Sequence, residues 1–529
     1  MKGYLRGLAP LLLVSLPALS AAAGDGFTIR QYEISGNQLV ETGHLLPLLA
    51  PFTGKSRTLA DVRSAQSAIE NAYRAAGYGA VRAVIPEQEV TDGVIRIRVV
   101  EARIRAVDVV GNRHFDTANV RAALPALREG ESPNLRLISD NVQLANENPA
   151  RATEVLLSAL GEEGALKANV LVRDSRPLRV SASLDNTGSD STGKQRLGVA
   201  LQHANLFDRD HVGTIAYTTS PERQEDVDIF SLSYRVPFYR LGDSLDLVYG
   251  RSDVNAATSQ TVAGPLNFSG EGTVFAVRYN HYFPRAGEYS SRLTVGWDRR
   301  HYRNACAIGG VSCGAADADV TVRPLSLSYV GRQAGADGSF DYHLTLARNI
   351  PGGSAGRNAD FDLVRAGAEA DYAVGRIGAT LVRGLGKWQG RLALNAQYSA
   401  EPLVPGEQFG LAGANAVRGF EERAVASDSG VVANLELFTP PASLQVGAAD
   451  APAVRGVLFA DAASGHNRDV QPGTRPRHLT LGSIGIGLRG EWRNNASLSL
   501  DLARVVSSHP AADRDSGDLR AHFAINLLF

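Results

Sequence analysis

The residues in this chain best suited to specific chemistry form a tetrad, Val417-Arg418-Gly419-Phe420. Arginine carries five donors in a rigid, permanently charged fork, so Arg418 is suited to bidentate capture of a carboxylate and not to proton transfer. Gly419 lets the backbone turn and approach a wall closely, and Phe420 supplies an apolar wedge beside it. Such a group holds something in place. Catalytic readings find little support: the 11 histidines are scattered, and no H-E-x-x-H or Ser-His-Asp order stands in a recognisable context. The glycine-rich stretches lack a Walker lysine, so no nucleotide site is expected. His281, His301 and His343 read as polar strand or loop groups. The 2 cysteines form neither a C-x-x-C pair nor a cluster with histidine. No metal, no cofactor and no enzymatic activity are expected.

Composition narrows the setting in which the tetrad works. The 529 residues include 54 basic and 55 acidic side chains, a net charge of −1, which argues against nucleic acid as a partner. The 54 glycines are roughly 10% of the chain against a usual share of about 7%. Mean hydropathy is −0.12, and beyond the N-terminus no apolar run is long enough for a membrane helix. Alternating strands average out in a hydropathy window, so a β-barrel stays open. Lys2 and Arg6, an apolar stretch over 8–19, and Ala21, Ala22 and Ala23 have the layout of a cleaved signal peptide, residues 1–23. In an oxidising compartment Cys306 and Cys313 are expected to pair across a short loop.

Two similar modules follow. In the first, 24–103, a strand over 27–34 ends at Gly36-Asn37, and a short helix bent by Pro47 comes next. A longer helix carries Thr58 and Asp61 as a capping box and Leu59, Val62, Ile69 and Tyr73 on one face, and strands over 80–85 and 94–100 close the unit. The second, 104–176, restarts with a strand over 107–110 and Gly111-Asn112. Asp116 caps a helix, a second helix covers 135–145, and strands cover 153–158 and 167–172.

From 177 to 529 the texture is alternating segments punctuated by Gly, Asn, Asp and Pro, with no convincing helix. Roughly 350 residues at about 22 per strand and turn give about 16 strands, an even number as a closed outer-membrane barrel requires. A soluble propeller or solenoid is the rival architecture, but no fixed repeat period is visible. The last strand places Phe529, Leu527, Ile525 and Phe523 on one side and Leu528, Asn526, Ala524 and His522 on the other. The expected fold is therefore mainly β: two tandem β-α-α-β-β modules, then a transmembrane antiparallel barrel.

These modules look like POTRA domains, and the barrel region resembles the two-partner secretion transporters of the haemolysin secretion/activation group. The resemblance rests on Asp185-Asn186-Thr187-Gly188, Thr192-Gly193, Asn205-Leu206-Phe207 ahead of Asp210, Val236-Pro237-Phe238 with Gly242-Asp243, and Trp297-Asp298 with Tyr302 and Asn304. These transporters belong to the BamA-like POTRA-plus-barrel superfamily. Val417-Arg418-Gly419-Phe420 matches the superfamily's V-R-G-F/Y tetrad at the tip of a long loop that folds into the lumen, here near 405–430. Ser429-Gly430 and Glu436-Leu437 match the next strand. Phe459-x-Asp461 matches the F-x-D-x-G motif whose acid pairs with the loop arginine, with Ala463 where that motif has glycine, and Gly485, Gly487, Leu488 and Arg489 fit a late strand. The terminal Phe529 resembles the C-terminal signal of outer-membrane proteins.

The resemblance implies an outer-membrane location, POTRA domains in the periplasm, and barrel insertion by the assembly machinery. It implies secretion of an unfolded, β-helical exoprotein bound as an extended chain, with aid to its activation. In a watery lumen the Arg418–Asp461 pair is expected to set loop conformation more than stability. Strand Phe27 starts soon after the cleavage site, leaving no room for the plug helix and linker many relatives carry. The resting pore is then expected to be closed mainly by the folded-in loop, and to leak more than a plugged relative. A BamA-type assembly factor is the rival reading, though such factors usually carry more POTRA modules; a passive porin would not need residues 27–174.

Overall fold

The computed structural model describes residues 26–254, 257–268, 271–303, 307–308, 311–312, 318–443, 453–468, 476–493 and 495–529. The expected leader, 1–23, and the expected cysteine pair, Cys306 and Cys313, lie outside the described residues. The chain divides into two compact units, one holding the residues up to Arg105 with Gly130–Leu135 and Ala159–Leu166, the other holding the rest.

In the first unit, helix Leu59–Ala75 begins where the Asp61 carboxylate accepts the Thr58 N–H at 2.8 Å, as the capping spacing predicts. Val62, Ala65, Ile69 and Tyr73 are its buried face, and they pack with Leu45 and Leu49 against Ile95 and Ile97. Leu59, assigned by spacing to that face, is exposed, because it sits on the first turn beyond the edge of the sheet-facing stripe. The sheet order is Gln31–Ser35, Val94–Val100, Arg82–Val84, with the first pair parallel. The strand expected over 27–34 is cut at Arg30. There the N–H turns to the Gly93 carbonyl at 2.7 Å, and Phe27–Ile29 pairs instead with a short strand, Gly54–Arg57.

Mostly within the second unit, Arg103–Val110, Ala165–Asp174 and Arg151–Ala159 form a three-stranded sheet in that order, accompanied by helices Thr117–Ala122 and Leu135–Ala145. The Asp116 side chain accepts the Asn119 N–H at 2.6 Å and caps the first of these helices.

Sixteen strands then close a barrel. They are β1 (Leu178–Asp185), β2 (Arg196–Leu206), β3 (His211–Thr219), β4 (Ile229–Phe238), β5 (Asp243–Ser252), β6 (Glu271–Ala286), β7 (Tyr289–Arg303) and β8 (Pro324–Gly335, preceded by Val320–Val322). The second half is β9 (Gly338–Asn349), β10 (Ala373–Leu385), β11 (Trp388–Ser399), β12 (Ser429–Phe438), β13 (Ala453–His466), β14 (His478–Trp492), β15 (Ala496–Ser507) and β16 (Leu519–Leu528).

Period-two alternation explains the wall. Leu197, Val199 and Leu201 on β2, Ile484, Ile486 and Leu488 on β14, and Leu498, Leu500 and Leu502 on β15 all point outward and are exposed. Exposed leucines on strand after strand suit a lipid-facing belt and would be an aggregation hazard in water. A helix, Asn358–Val364, interrupts the strands between β9 and β10, where none was expected; seven residues with one buried side chain, Phe361, leave too short a periodic signal.

The seam closes through β16 and β1, with Ala524 opposite Asp185 and Leu528 opposite Ser181. The Phe529 N–H donates to the Val180 carbonyl at 2.8 Å, and Asn186 extends the pairing by accepting the Phe523 N–H at 2.9 Å. Ile525, Leu527 and Phe529 are exposed, while His522, on the other face, is buried.

The second module is joined to the turns after β2 and β4 by buried polar contacts. Arg151 grips Asp210 through both ends of its fork, at 2.6 and 3.1 Å, and Tyr239 donates to the same carboxylate at 2.6 Å. Asn119 bonds Asn205, and Asn148 donates to the Ala204 carbonyl at 2.7 Å.

Candidate functional site

Between β11 and β12 the chain enters the barrel and returns. Its legs pair briefly, Phe409–Gly410 with Ala426–Ser427, and the Leu411 N–H reaches the Val425 carbonyl at 2.9 Å. Val417 and Phe420 are fully buried at the tip, packed with Leu411, Val425, Val432, Leu479, Leu481 and Val505. Ala463 is in the same cluster, so the methyl that departs from the family motif fills apolar space there.

Arg418 lies between these apolar contacts and the wall. Its Nε and Nη2 donate to the two oxygens of Asp461 at 2.7 and 2.8 Å, and its backbone N–H donates to Asp461 at 3.2 Å. Its Nη1 donates to Glu436 at 2.9 Å and lies 3.5 Å from Asp501. Arg391 pairs with Glu436 and Arg489 with Asp501, both at 2.7 Å, so three arginines and three acids balance. Burial works against the Arg418 charge, but the bonds and charge of Asp461, then Glu436 and Asp501, outweigh it and hold the fork protonated. Arg418 and Asp461 are each 4% exposed. The pair is therefore not the solvated contact expected from a watery lumen; the apolar cluster and Phe459, whose ring centroid is 3.6 Å from the Arg418 Cζ, enclose it.

The glycines make this approach possible. Gly419 has φ +101°, and a Cβ there would lie 3.1 Å from Val505 Cγ2. Its N–H donates to His522 Nε2 at 2.9 Å. Gly485 leaves space for Phe459, since a Cβ would lie 2.3 Å from the ring. Asn434 donates to the Ala416 carbonyl at 2.7 Å and to Asp461 at 2.8 Å, tying tip to wall.

Arg418, Gly419, Val417, Phe420, Phe459 and Asp461 are thus brought together, whereas Phe529, Leu527, Ile525 and Phe523 lie at the seam. The sequence reading missed Glu436, Asn434, Asp501 and His522 as members of this site. A signal existed for two of them: Asn434 stands opposite Asp461 and Glu436 opposite Phe459, both on the lumen face of β12. Only the ladder register reveals it.

Within the same loop Glu422 is half-buried beside the lumen cavity, and its carboxylate accepts the Ala414 N–H at 2.6 Å. Burial pushes it up to about 7, and that single bond offsets little. A second element also reaches inward: hairpin Ala257–Thr261 and Gly264–Phe268, between β5 and β6, turns at Val262, whose N–H donates to Ser233 Oγ on β4 at 2.9 Å. Around these inserts remains a cavity of about 1820 Å³, lined by Arg278, Arg300, Arg376, Asn395, Glu436 and Asp501 among others. Among the described residues no group of three or more His, Cys, Asp or Glu is placed to hold a metal.

A barrel with an apolar exterior and polar lumen, a latched inward loop and an N-terminal POTRA-type domain define an outer-membrane transporter of the POTRA-plus-barrel class. The haemolysin secretion/activation protein family ShlB/FhaC/HecB matches residues 165–490, and the ShlB-type POTRA domain matches residues 27–102. The chain belongs to that family, and its place is the bacterial outer membrane with the POTRA region in the periplasm. It is 23% identical to the outer membrane transporter CdiB of Dickeya dadantii over 92% of this chain and 85% of that one. A 190-residue stretch is 24% identical to the heme/hemopexin transporter protein HuxB of Haemophilus influenzae, covering 35% of this chain and 33% of that one. In fold it is similar to CdiB from Escherichia coli, with TM-score 0.76 and 20% identity over 98% and 94% of the two chains. BamA from Haemophilus ducreyi lacking POTRA domains 1–3 gives TM-score 0.51 at 14% identity, over 95% of this chain and 100% of that chain.

Proposed function

We propose that this transporter captures one unfolded exoprotein in the periplasm through its POTRA modules, 24–103 and 104–176, and passes it through the 177–529 barrel, aiding its activation. The observation that carries this reading is the loop latched inside a polar lumen by Arg418, a closure that serves a protein meant to open. Folding of the cargo outside, by burial of its own core, supplies direction where no nucleotide does. A β-helical cargo suits such stepwise folding.

Recognition works by strand addition, where main-chain hydrogen bonds give sequence-tolerant affinity. Of the two candidate edges, Arg82–Val84 is covered at its centre: Glu70 accepts the Ala83 N–H at 3.1 Å and Gln66 donates to the Ala83 carbonyl at 2.6 Å. On the nine-residue strand Arg151–Ala159, Asn146 takes both groups of Thr153, near the start. Strand alternation places the N–H and C=O of Val155 and Leu157 on that same outer side, and this edge is the docking strand. Val155→Pro removes one outward N–H while sparing the internal ladder. It is expected to lower secretion with the barrel still assembled; wild-type secretion would count against this edge.

The loop is tested directly. Arg418→Ala and Asp461→Ala are each expected to cut secretion strongly, and full secretion by both variants would refute the latch. The rival reading, a BamA-like assembly factor, rests on likeness of fold alone and predicts loss of other barrels instead.

A further inference from the structure

The inward loop is attached to the wall at more than its tip. On its N-terminal leg, Glu407 is buried and receives the Tyr302 hydroxyl at 2.7 Å and Arg300 Nη1 at 2.8 Å, with Arg376 at 3.6 Å. Burial would raise this carboxyl, yet Arg300, Arg376 and the Tyr302 bond hold it below the usual range. Arg300 also pairs with Asp298, which takes Arg278 in turn, so the contact is tied into β6 and β7.

On the C-terminal leg, Asp428 is fully buried and is gripped by both ends of the Arg365 fork, from the segment that follows helix Asn358–Val364. It also accepts the N–H groups of Leu403 at 3.1 Å and Arg468 at 2.8 Å. Two amides cross-link the legs. Gln408 donates to Asp428 at 3.0 Å, and Gln397 on β11 donates to the carbonyls of both Glu407 and Asp428, at 3.0 and 3.1 Å. Arg423 Nη2, on the segment beyond the base, links that segment to it by donating to the carbonyls of Pro405 and Gln408 at 3.1 and 3.0 Å.

Most of the neck lies on a different sector from the tip. Glu407 is held by β7, β10 and β11, and Asp428 by β11, the loop after β9 and Arg468 just beyond β13, while the tip is held by β12, β13, β15 and β16. We propose that Glu407 and Asp428 are positioning residues that keep the neck fixed during transport, so that release of Arg418 swings only the segment 409–427 and clears the lumen on the β12–β16 side. A buried carboxylate with several partners is costly to expose, because every partner loses its bond together. The tip's charged grip on the wall comes from one guanidinium, beside the bonds of Asn434 and His522 and the apolar packing of Val417 and Phe420. This inference rests on the loop being the gate, and it is tested without any exoprotein, so a wrong assignment of cargo would leave the readouts intact.

Single-channel conductance of the purified full-length protein in planar bilayers is compared for Arg418→Ala and for Arg418→Ala combined with Glu407→Gln and Asp428→Asn. With the neck intact, Arg418→Ala gives a partial opening; loosening the neck as well at least doubles it. Equal conductance in the two proteins overturns the proposal. The second measurement leaves the neck unaltered: in the Arg418→Ala protein, cysteines placed at Ala414 or at Pro405 are probed with a membrane-impermeant maleimide. Labelling above the native-cysteine background at position 414 and protection at 405 support a fixed neck. Equal labelling at both positions shows the whole loop leaving and contradicts it.

Discussion

At the scale of single residues, the decisive feature is that Arg418 is enclosed. Removing one partner of a buried pair strands the other charge, at a cost of about 3–5 kcal/mol, so Arg418→Ala should shift the loop outward far more than an exposed pair would allow. Arg418→Lys keeps the charge but cannot bind both Asp461 oxygens and Glu436 together, and an intermediate conductance is expected for it. Glu422 makes the inward state pH-sensitive. Its carboxyl sits at about 7 when enclosed, above its ordinary value, with Asp185 raising it and Arg520 and Arg423 lowering it. The inward state then holds its proton over a range where the released loop has lost it. Its stabilisation is complete below the ordinary carboxylate range and fades as pH rises through about 7. Open probability in bilayers should therefore climb with pH and level off above neutrality. Glu422→Gln should flatten that part of the profile, and an unchanged profile would show that other groups set it. The tetrad and Asp461 were legible as residues that could pair; Glu422 was not, because nothing in a sequence tells a half-buried glutamate from a solvated one.

At the scale of elements, register decides what single residues can do. Phe459 reaches Arg418 because Gly485 stands opposite it across the β13–β14 ladder, and a larger side chain there has no space. Gly485→Val should displace the ring, weaken the latch and raise resting conductance, with heat-modifiable mobility on gels showing that the barrel still assembles. The joint between the second module and the barrel is set the same way. Arg151 is the first residue of the proposed docking strand, and Asp210 sits in the turn after β2. Asp210→Asn should loosen that joint, read as faster amide exchange over residues 146–155. Alternation made the barrel strands and the Gly-Asn turns readable, but not the break at Arg30 or the helix Asn358–Val364. Both depend on partners distant in sequence.

At the scale of the whole molecule, the moderate mean hydropathy follows from a wall that is half lipid-facing and half lumen-facing. The fold class, the strand number and the inward loop were therefore legible from alternation, turn chemistry and one tetrad. The neck at Glu407 and Asp428 and the hairpin at Val262 were not, since lumen contacts join segments that share no pattern. The central claim is that this chain exports one partner. Its most direct test is a deletion strain in which culture medium and outer membrane are analysed together by quantitative proteomics. One large exoprotein should vanish from the medium and return when the wild-type chain is restored, while other outer-membrane barrels stay at normal abundance. An unchanged medium with depleted barrels would contradict the account.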